Sequence, residues 1–271
     1  MFESRRLRRT ILEMAYAGST VHIACAFSIV DILAVLYRSH LNFGNGKPED
    51  PLRDYLVLSK GHGVMAQYAC MLELGWLTDT DIQNYFGDGT TLKGLSDAHV
   101  SGLEVSSGSL GHGLSVGVGL ALGAKRNQTQ QKCFAIVGDG ELNEGAIWEA
   151  LMFASHFKLD NLLVIVDVNG YQAMGSTQEV MDMGDITAKF IAFGFDTLEI
   201  DGHNEHLLDQ TISKLINMRP GKPKAIVANT VKGKGISFME ADNRWHYTRL
   251  SPETYQQAIA ELSQTEVGSL P

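Results

Sequence analysis

Four apolar runs punctuate the second half of the chain: CFAIV at 133–137, NLLVIVDV at 161–168, DTLEI at 196–200 and KAIVANT at 224–230. They are apolar along most of their length instead of alternating, as expected for strands covered on both faces. Helical patterns at 144–157 and 204–218 separate them. Strand–helix alternation of this kind specifies an α/β fold, with a mostly parallel sheet and helices on both faces. A fifth run, YLVLS at 55–59, has the same character. Helices are predicted at 2–16, 24–37 and 64–74, with loops at 43–54 and 87–102. The C-terminal tail after Leu250 reads as a short helix followed by a polar terminus. No repeat or low-complexity linker divides the chain, so residues 1–271 are expected to form one domain.

Ligands of such sheets sit beyond the carboxyl ends of the strands. Two polar residues stand there: Asp139, between Gly138 and Gly140, and Asn169, at the end of the next run. Alone, Asp139 reads as a helix cap. Adjacent parallel strands bring it beside Asn169, and a carboxylate next to an amide carbonyl suits Mg2+ that keeps phosphate oxygens in its shell. The flanking glycines clear space for phosphate, and the helix beginning near Glu144 adds its dipole. The spacing is not that of a dinucleotide fingerprint, because Asn143 stands where a third glycine is needed. TVKGKGISF at 230–238 is no Walker A run, and Lys232 and Lys234 read as loop lysines. The segment 107–125 is glycine-rich yet helical in pattern. Its missing side chains imply tight core packing, close approach of a ligand, or both.

The net charge of −9 argues against nucleic acid as a partner. The basic cluster RRLRR at 5–9 reads as a solvated helix face. Cys25, Cys70 and Cys133 are widely spaced in apolar surroundings, as expected of reduced, buried thiols. No signal peptide or run long enough to cross a membrane is visible. A cytoplasmic location without membrane association is the expectation.

The stretch GDGELNEGAIWEALMFASHFKLDNLLVIVDVNG, from Gly138 to Gly170, resembles the transketolase family of thiamine-diphosphate-dependent enzymes. Three further segments resemble it in the same order: YLVLSKGHGVMAQYACMLELGW, GLEVSSGSLGHGLSVGVGLALGAK and TVKGKGISFMEADNRWHY. The resemblance implies the thiamine-diphosphate-binding fold, with Asp139, Asn169 and the backbone carbonyl of Tyr171 as Mg2+ ligands. It implies cofactor contacts from Gly138, Gly140 and Glu141, from Gly108, Leu110 and His112, and from His246. It implies proton transfer by His22 and His62. Glu144 and Glu149 match glutamates at the family's subunit interface, where they are thought to connect two active sites; a plain dipole role for Glu144 is the alternative.

The chain departs from the family in two places. His22 lacks the Pro-Gly pair that usually follows it, and Gly94-Leu95-Ser96 stands where relatives carry a histidine that helps bind sugar hydroxyls. His99 is the nearby substitute or a surface residue. The resemblance covers the diphosphate-binding region alone. The implied protein is therefore the N-terminal subunit of a split transketolase, moving a two-carbon ketol unit from a ketose, expected to be phosphorylated, to an aldehyde. A separate pyrimidine-domain subunit would activate the thiamine ring, in an α2β2 assembly. The alpha subunit of a 2-oxo acid dehydrogenase and a non-catalytic regulatory chain are the alternatives.

Overall fold

The computed structural model describes residues 1–18, 21–218 and 220–264. The apolar runs form one sheet: β1 (Tyr55–Leu58), β2 (Cys133–Gly138), β3 (Leu162–Val168), β6 (Asp196–Asp201) and β7 (Lys224–Asn229). The order is β1-β2-β3-β7-β6, and every pairing is parallel. β7 lies between β3 and β6, so β6 forms an edge and is the least buried strand. A small antiparallel pair, β4 (Tyr171–Gln172) and β5 (Gly175–Ser176), follows β3.

Strand pleating divides the core in two. Leu56, Leu58, Phe134, Ile136, Leu163, Ile165 and Ile226 point to one face and join the N-terminal helices in one cluster. Val57, Ala135, Val137, Val164, Val166 and Ala225 point to the other. There they meet the helices His112–Arg126, Gly145–His156 and Ile186–Ala192. Burying both faces stabilises the sheet by about 1.5–3 kcal/mol for each large side chain, and this explains the continuous apolar runs.

The glycine-rich helix begins at His112. A Cβ on Gly113 would lie 2.5 Å from Ser59 Cα, so this glycine lets the helix settle on the end of β1. Gly119 and Gly123 have open space beside them, so core packing does not explain those two.

The predicted helix 24–37 is broken. It forms as Ile23–Phe27 and Val30–Val35, then widens into a π-helical turn at Leu36–His40. Ser28 lies at the break. Its hydroxyl donates 3.1 Å to Cys25 O and 2.8 Å to Asp167, while Gly233 N takes Ala24 O. Side-chain and loop bonds to these carbonyls compete with the helical ladder. RRLRR also differs from a uniformly solvated face. Arg8 is buried and bidentate to Asp31 at 3.0 and 2.7 Å. Short helices at Asp79–Gln83, Thr177–Met181 and Ile186–Ala192 were not predicted. Residues 19–20, beside His22, and the polar terminus 265–271 lie outside the described residues.

Candidate active site at the strand ends

A cavity of about 350 Å³ opens beyond the carboxyl ends of β2 and β3. Gly138 of β2 is in register with Asp167 of β3, so Asp139 and Asn169 leave neighbouring strands side by side. Asp139 is buried, and its carboxylate accepts only backbone hydrogen bonds: Gly140 N at 2.8 Å and Gly170 N at 2.7 Å. Burial, then the nearby Asp167 carboxylate, pushes its pKa up to about 6, against those two bonds. It is both the predicted cap and a buried charge in need of a cation. Asn169 donates 2.8 Å to Asp167 through Nδ2, and its Oδ1 accepts from Tyr171 N at 3.1 Å.

Gln172 crowds Gly140: a Cβ there would come within 2.8 Å of Gln172 Cβ. Gln172 Nε2 is buried in the cavity wall without a hydrogen-bond partner. A donor aimed at nothing fits an acceptor-rich ligand such as a diphosphate. Among the described residues no group of three His, Cys, Asp or Glu side chains is placed to hold a metal unaided. The donors present, a carboxylate, an amide carbonyl and a nearby main chain, fit an ion whose shell is completed by phosphate oxygens.

Behind this pair lies a fully buried ion pair, Lys60 Nζ to Asp167 Oδ2 at 2.5 Å. Asp167 also accepts from Ser28, Asn169 and Thr230. Burial opposes both charges, but each partner offsets it. The ammonium is held above its ordinary pKa and the carboxylate below. Glu141 is buried as well. It accepts from Ser59 Oγ, Gly111 N and Gly138 N, so it ties the end of β2 to the start of the glycine-rich helix.

Three histidines close the other side. The ring of His22 lies 5.1 Å from that of His62 and 5.4 Å from that of His246, with Tyr247 at 4.6 Å. Burial, then Lys232 and Lys60, lowers the pKa of His22 to about 4. Burial, then Lys232, lowers that of His246 to about 3. His62 is also driven well below its ordinary value, by burial and then Lys60. All three are neutral imidazoles at neutral pH. Lys232 Nζ lies 2.7 Å from His246 Nδ1 and 2.7 Å from Asn243 Oδ1. An ammonium can only donate, so His246 accepts at Nδ1 and carries its proton on Nε2.

Most of the predicted residues line this cavity: His22, His62, Gly108, Leu110, Gly138, Asp139, Gly140, Glu141, Asn169, Tyr171 and His246. His112 does not. It is exposed on the first helical turn, with Nδ1 3.1 Å from Leu110 O. Glu144 and Glu149 are exposed on the outer side and also stand apart from it. His99 is a surface residue paired with Asp97, whereas Leu95 enters the cavity wall. Lys232 is not the expected loop lysine, because its side chain is buried at the histidine cluster. Lys60, Asp167 and Gln172 are the functional groups that sequence reasoning missed; only the SKGHG and VDVNG segments hinted at the first two.

Residues 5–265 match the family described as transketolase, thiamine diphosphate binding domain. One of the two named subunits of the apulose-4-phosphate transketolase of Phocaeicola vulgatus is 36% identical over 263 residues, covering 97% of this chain and 93% of that protein. The 6-deoxy-6-sulfo-D-fructose transketolase subunit SqwG of a Clostridium species is 37% identical over 259 residues, covering 94% of this chain and 93% of its own. Among solved structures, transketolase from Leishmania mexicana superposes with a TM-score of 0.88 at 28% identity. The match covers 96% of this chain and 40% of that one.

Proposed function

Since the chain belongs to the transketolase family as the N-terminal subunit of a split, thiamine-diphosphate-dependent enzyme that transfers a ketol group, we propose that the cavity beyond β2 and β3 holds the diphosphate of that cofactor through Mg2+. The observation that carries this reading is Asp139, a buried carboxylate that no side-chain cation contacts directly, beside Asn169 and the main chain of Tyr171. Gln172 Nε2 and the backbone of Gly138 and Gly140 face the phosphate oxygens. Leu110 and Gly108 wall the path toward the ring. Glu141 keeps those two loops in register.

When bound, thiamine diphosphate supplies a carbon nucleophile and an electron sink for breaking and making the ketose C–C bond. The chain's own groups move protons on the substrate oxygens. His246 presents Nε2–H as a donor because Lys232 occupies Nδ1. His22 and His62, both neutral, accept or return a hydroxyl proton as the carbonyl forms and re-forms. The partly enclosed cavity and buried lysines keep bulk water from these groups.

A second, separate chain supplies the group that activates the aminopyrimidine ring, in keeping with relatives that are themselves named as single subunits of a transketolase. An α2β2 assembly is the proposed form. The outer faces of the helices His112–Arg126 and Gly145–His156 support it. Val116, Met152 and Phe153 are exposed there, around a cavity of about 280 Å³ that includes Gly119 and Glu149. Glu144 and Glu149 would lie in that contact. A phosphorylated ketose is the proposed donor. The three free, buried cysteines suit a reducing compartment, hence the cytoplasm. No described helix is long and apolar enough to cross a membrane.

Reconstitution tests the proposal. The purified chain with thiamine diphosphate and Mg2+ is expected to give negligible ketol transfer, restored on adding the pyrimidine-domain subunit. Robust transfer by this chain alone would overturn the two-subunit site.

A further inference from the structure

A second cavity, of about 570 Å³, adjoins the first across His22, Leu95 and Gly108. Its walls are Val21, Phe86, Leu95 and Tyr247. The last three are 38%, 42% and 55% exposed, which is unusual for large side chains beside a polar reaction centre. They are backed by close packing. The Phe86 ring lies 3.3 Å from the position a Cβ on Gly94 would take, and Leu95 Cδ1 lies 2.7 Å from the corresponding point on Gly108. The serine hydroxyls of this cavity are turned away. Ser96 donates to Val105 O, Ser107 to Leu58 O and Ser106 to Asp97. A sugar hydroxyl entering here gives up water and meets hydrocarbon, and its lost hydrogen bonds are not replaced. A methyl or methylene group in the same place gains from burial.

Resting on the ketol-transfer reading above, we propose that this cavity receives the remote end of the aldehyde acceptor and selects one that is deoxygenated there over a fully hydroxylated sugar. Leu95 is the specificity-determining residue, because it lines both cavities at their junction. The reacting carbonyl stays beside His22, while the tail passes Leu95 toward Phe86 and Tyr247.

The test uses the reconstituted two-subunit enzyme with hydroxypyruvate as donor, whose CO2 release makes the donor half-reaction irreversible. The acceptors are 2-hydroxybutanal and D-erythrose, which share a four-carbon chain and differ by the two remote hydroxyls. The expected kcat/KM is about tenfold or more higher for 2-hydroxybutanal, equivalent to about 1.4 kcal/mol. Leu95→Asn is expected to shrink that ratio toward one, mainly through the KM for 2-hydroxybutanal. Tyr247→Ser, on the exposed side of the same wall, is expected to do so to a smaller degree. Preference for D-erythrose in the unaltered enzyme, or a ratio unmoved by both substitutions, overturns the inference. So does failure of Leu95→Asn to bind the second subunit with its fold intact by circular dichroism, because Leu95 is then a subunit contact. Transfer to neither aldehyde overturns the ketol-transfer reading itself, and this inference with it.

Discussion

Asp139 and Asp167 sit one step apart across the register of β2 and β3, and both are buried, yet their surroundings are opposite. Asp167 is saturated: Lys60 neutralises it, and Ser28, Asn169 and Thr230 donate to it. Asp139 has two backbone N–H groups and no side-chain partner. The paired carboxylate is pushed below the ordinary carboxylate range and the other is raised to about 6. One carboxylate is thus part of the scaffold, and the other is held ready for a cation. The distinction depends on partners, because burial is nearly the same for both.

Removing the scaffold charge has the largest expected effect. Asp167→Asn leaves the Lys60 ammonium buried without a counter-charge, and is expected to cost about 3–5 kcal/mol in urea unfolding of the isolated chain. A loss below about 1 kcal/mol would show that water reaches Lys60 and would erase the contrast. Lys232→Met is the next largest. It frees Nδ1 of His246 and unfixes the ring tautomer. It is expected to lower kcat of the reconstituted enzyme by about 100-fold with little change in KM; an unchanged kcat would remove His246 from proton transfer.

The histidine cluster carries a pH signature. His22 and His246 have folded pKa values of about 4 and 3, below the ordinary 6.5, so the unfolded chain binds their protons more tightly. Their contribution to stability is therefore full above pH 6.5 and is lost as the pH falls through the folded values. Asp139 acts in the opposite sense over part of that range, because its folded pKa is raised. Three lowered histidines outweigh it, so stability is expected to fall between pH 7 and 5.5. His22→Gln should flatten that slope, and an unaltered slope would mean that His22 stays solvated in the folded chain. The smallest effect belongs to Glu149→Gln. On an exposed face it should change the isolated chain's stability by less than about 0.5 kcal/mol. Any effect should appear in assembly, read by sedimentation of the two-subunit complex.

The ligand-facing half of this contrast was legible in the sequence, and the scaffold half was not. Asp139 and Asn169 announce themselves because both follow apolar runs whose pairing follows from the α/β pattern. Lys60 and Asp167 are 107 positions apart, and nothing in local composition predicts that β1 and β3 bring them into contact around β2. Lys232 misled for a related reason: among glycines it looks like a solvated loop residue, and only the fold of 230–247 turns it inward. The break in the predicted helix 24–37 has the same origin, since Ser28 bonds to Asp167 from far along the chain. The apolar wall at Leu95 was visible as a departure from the family pattern. Its meaning depended on Phe86 and Tyr247, which the sequence separates from it and from each other.

The most direct measurement is Asp139→Asn, with urea unfolding of the isolated chain set beside calorimetric titration of thiamine diphosphate and Mg2+ into the two-subunit complex. The substitution removes an uncompensated buried charge and one hydrogen-bond acceptor, so the unliganded chain is expected to stay within about 1 kcal/mol of the unaltered protein. Cofactor binding in the complex is expected to weaken by about 100-fold or more, with loss of its Mg2+ dependence. A chain destabilised by several kcal/mol, with Mg2+-dependent cofactor binding intact, would make Asp139 a second scaffold residue like Asp167 and contradict the account.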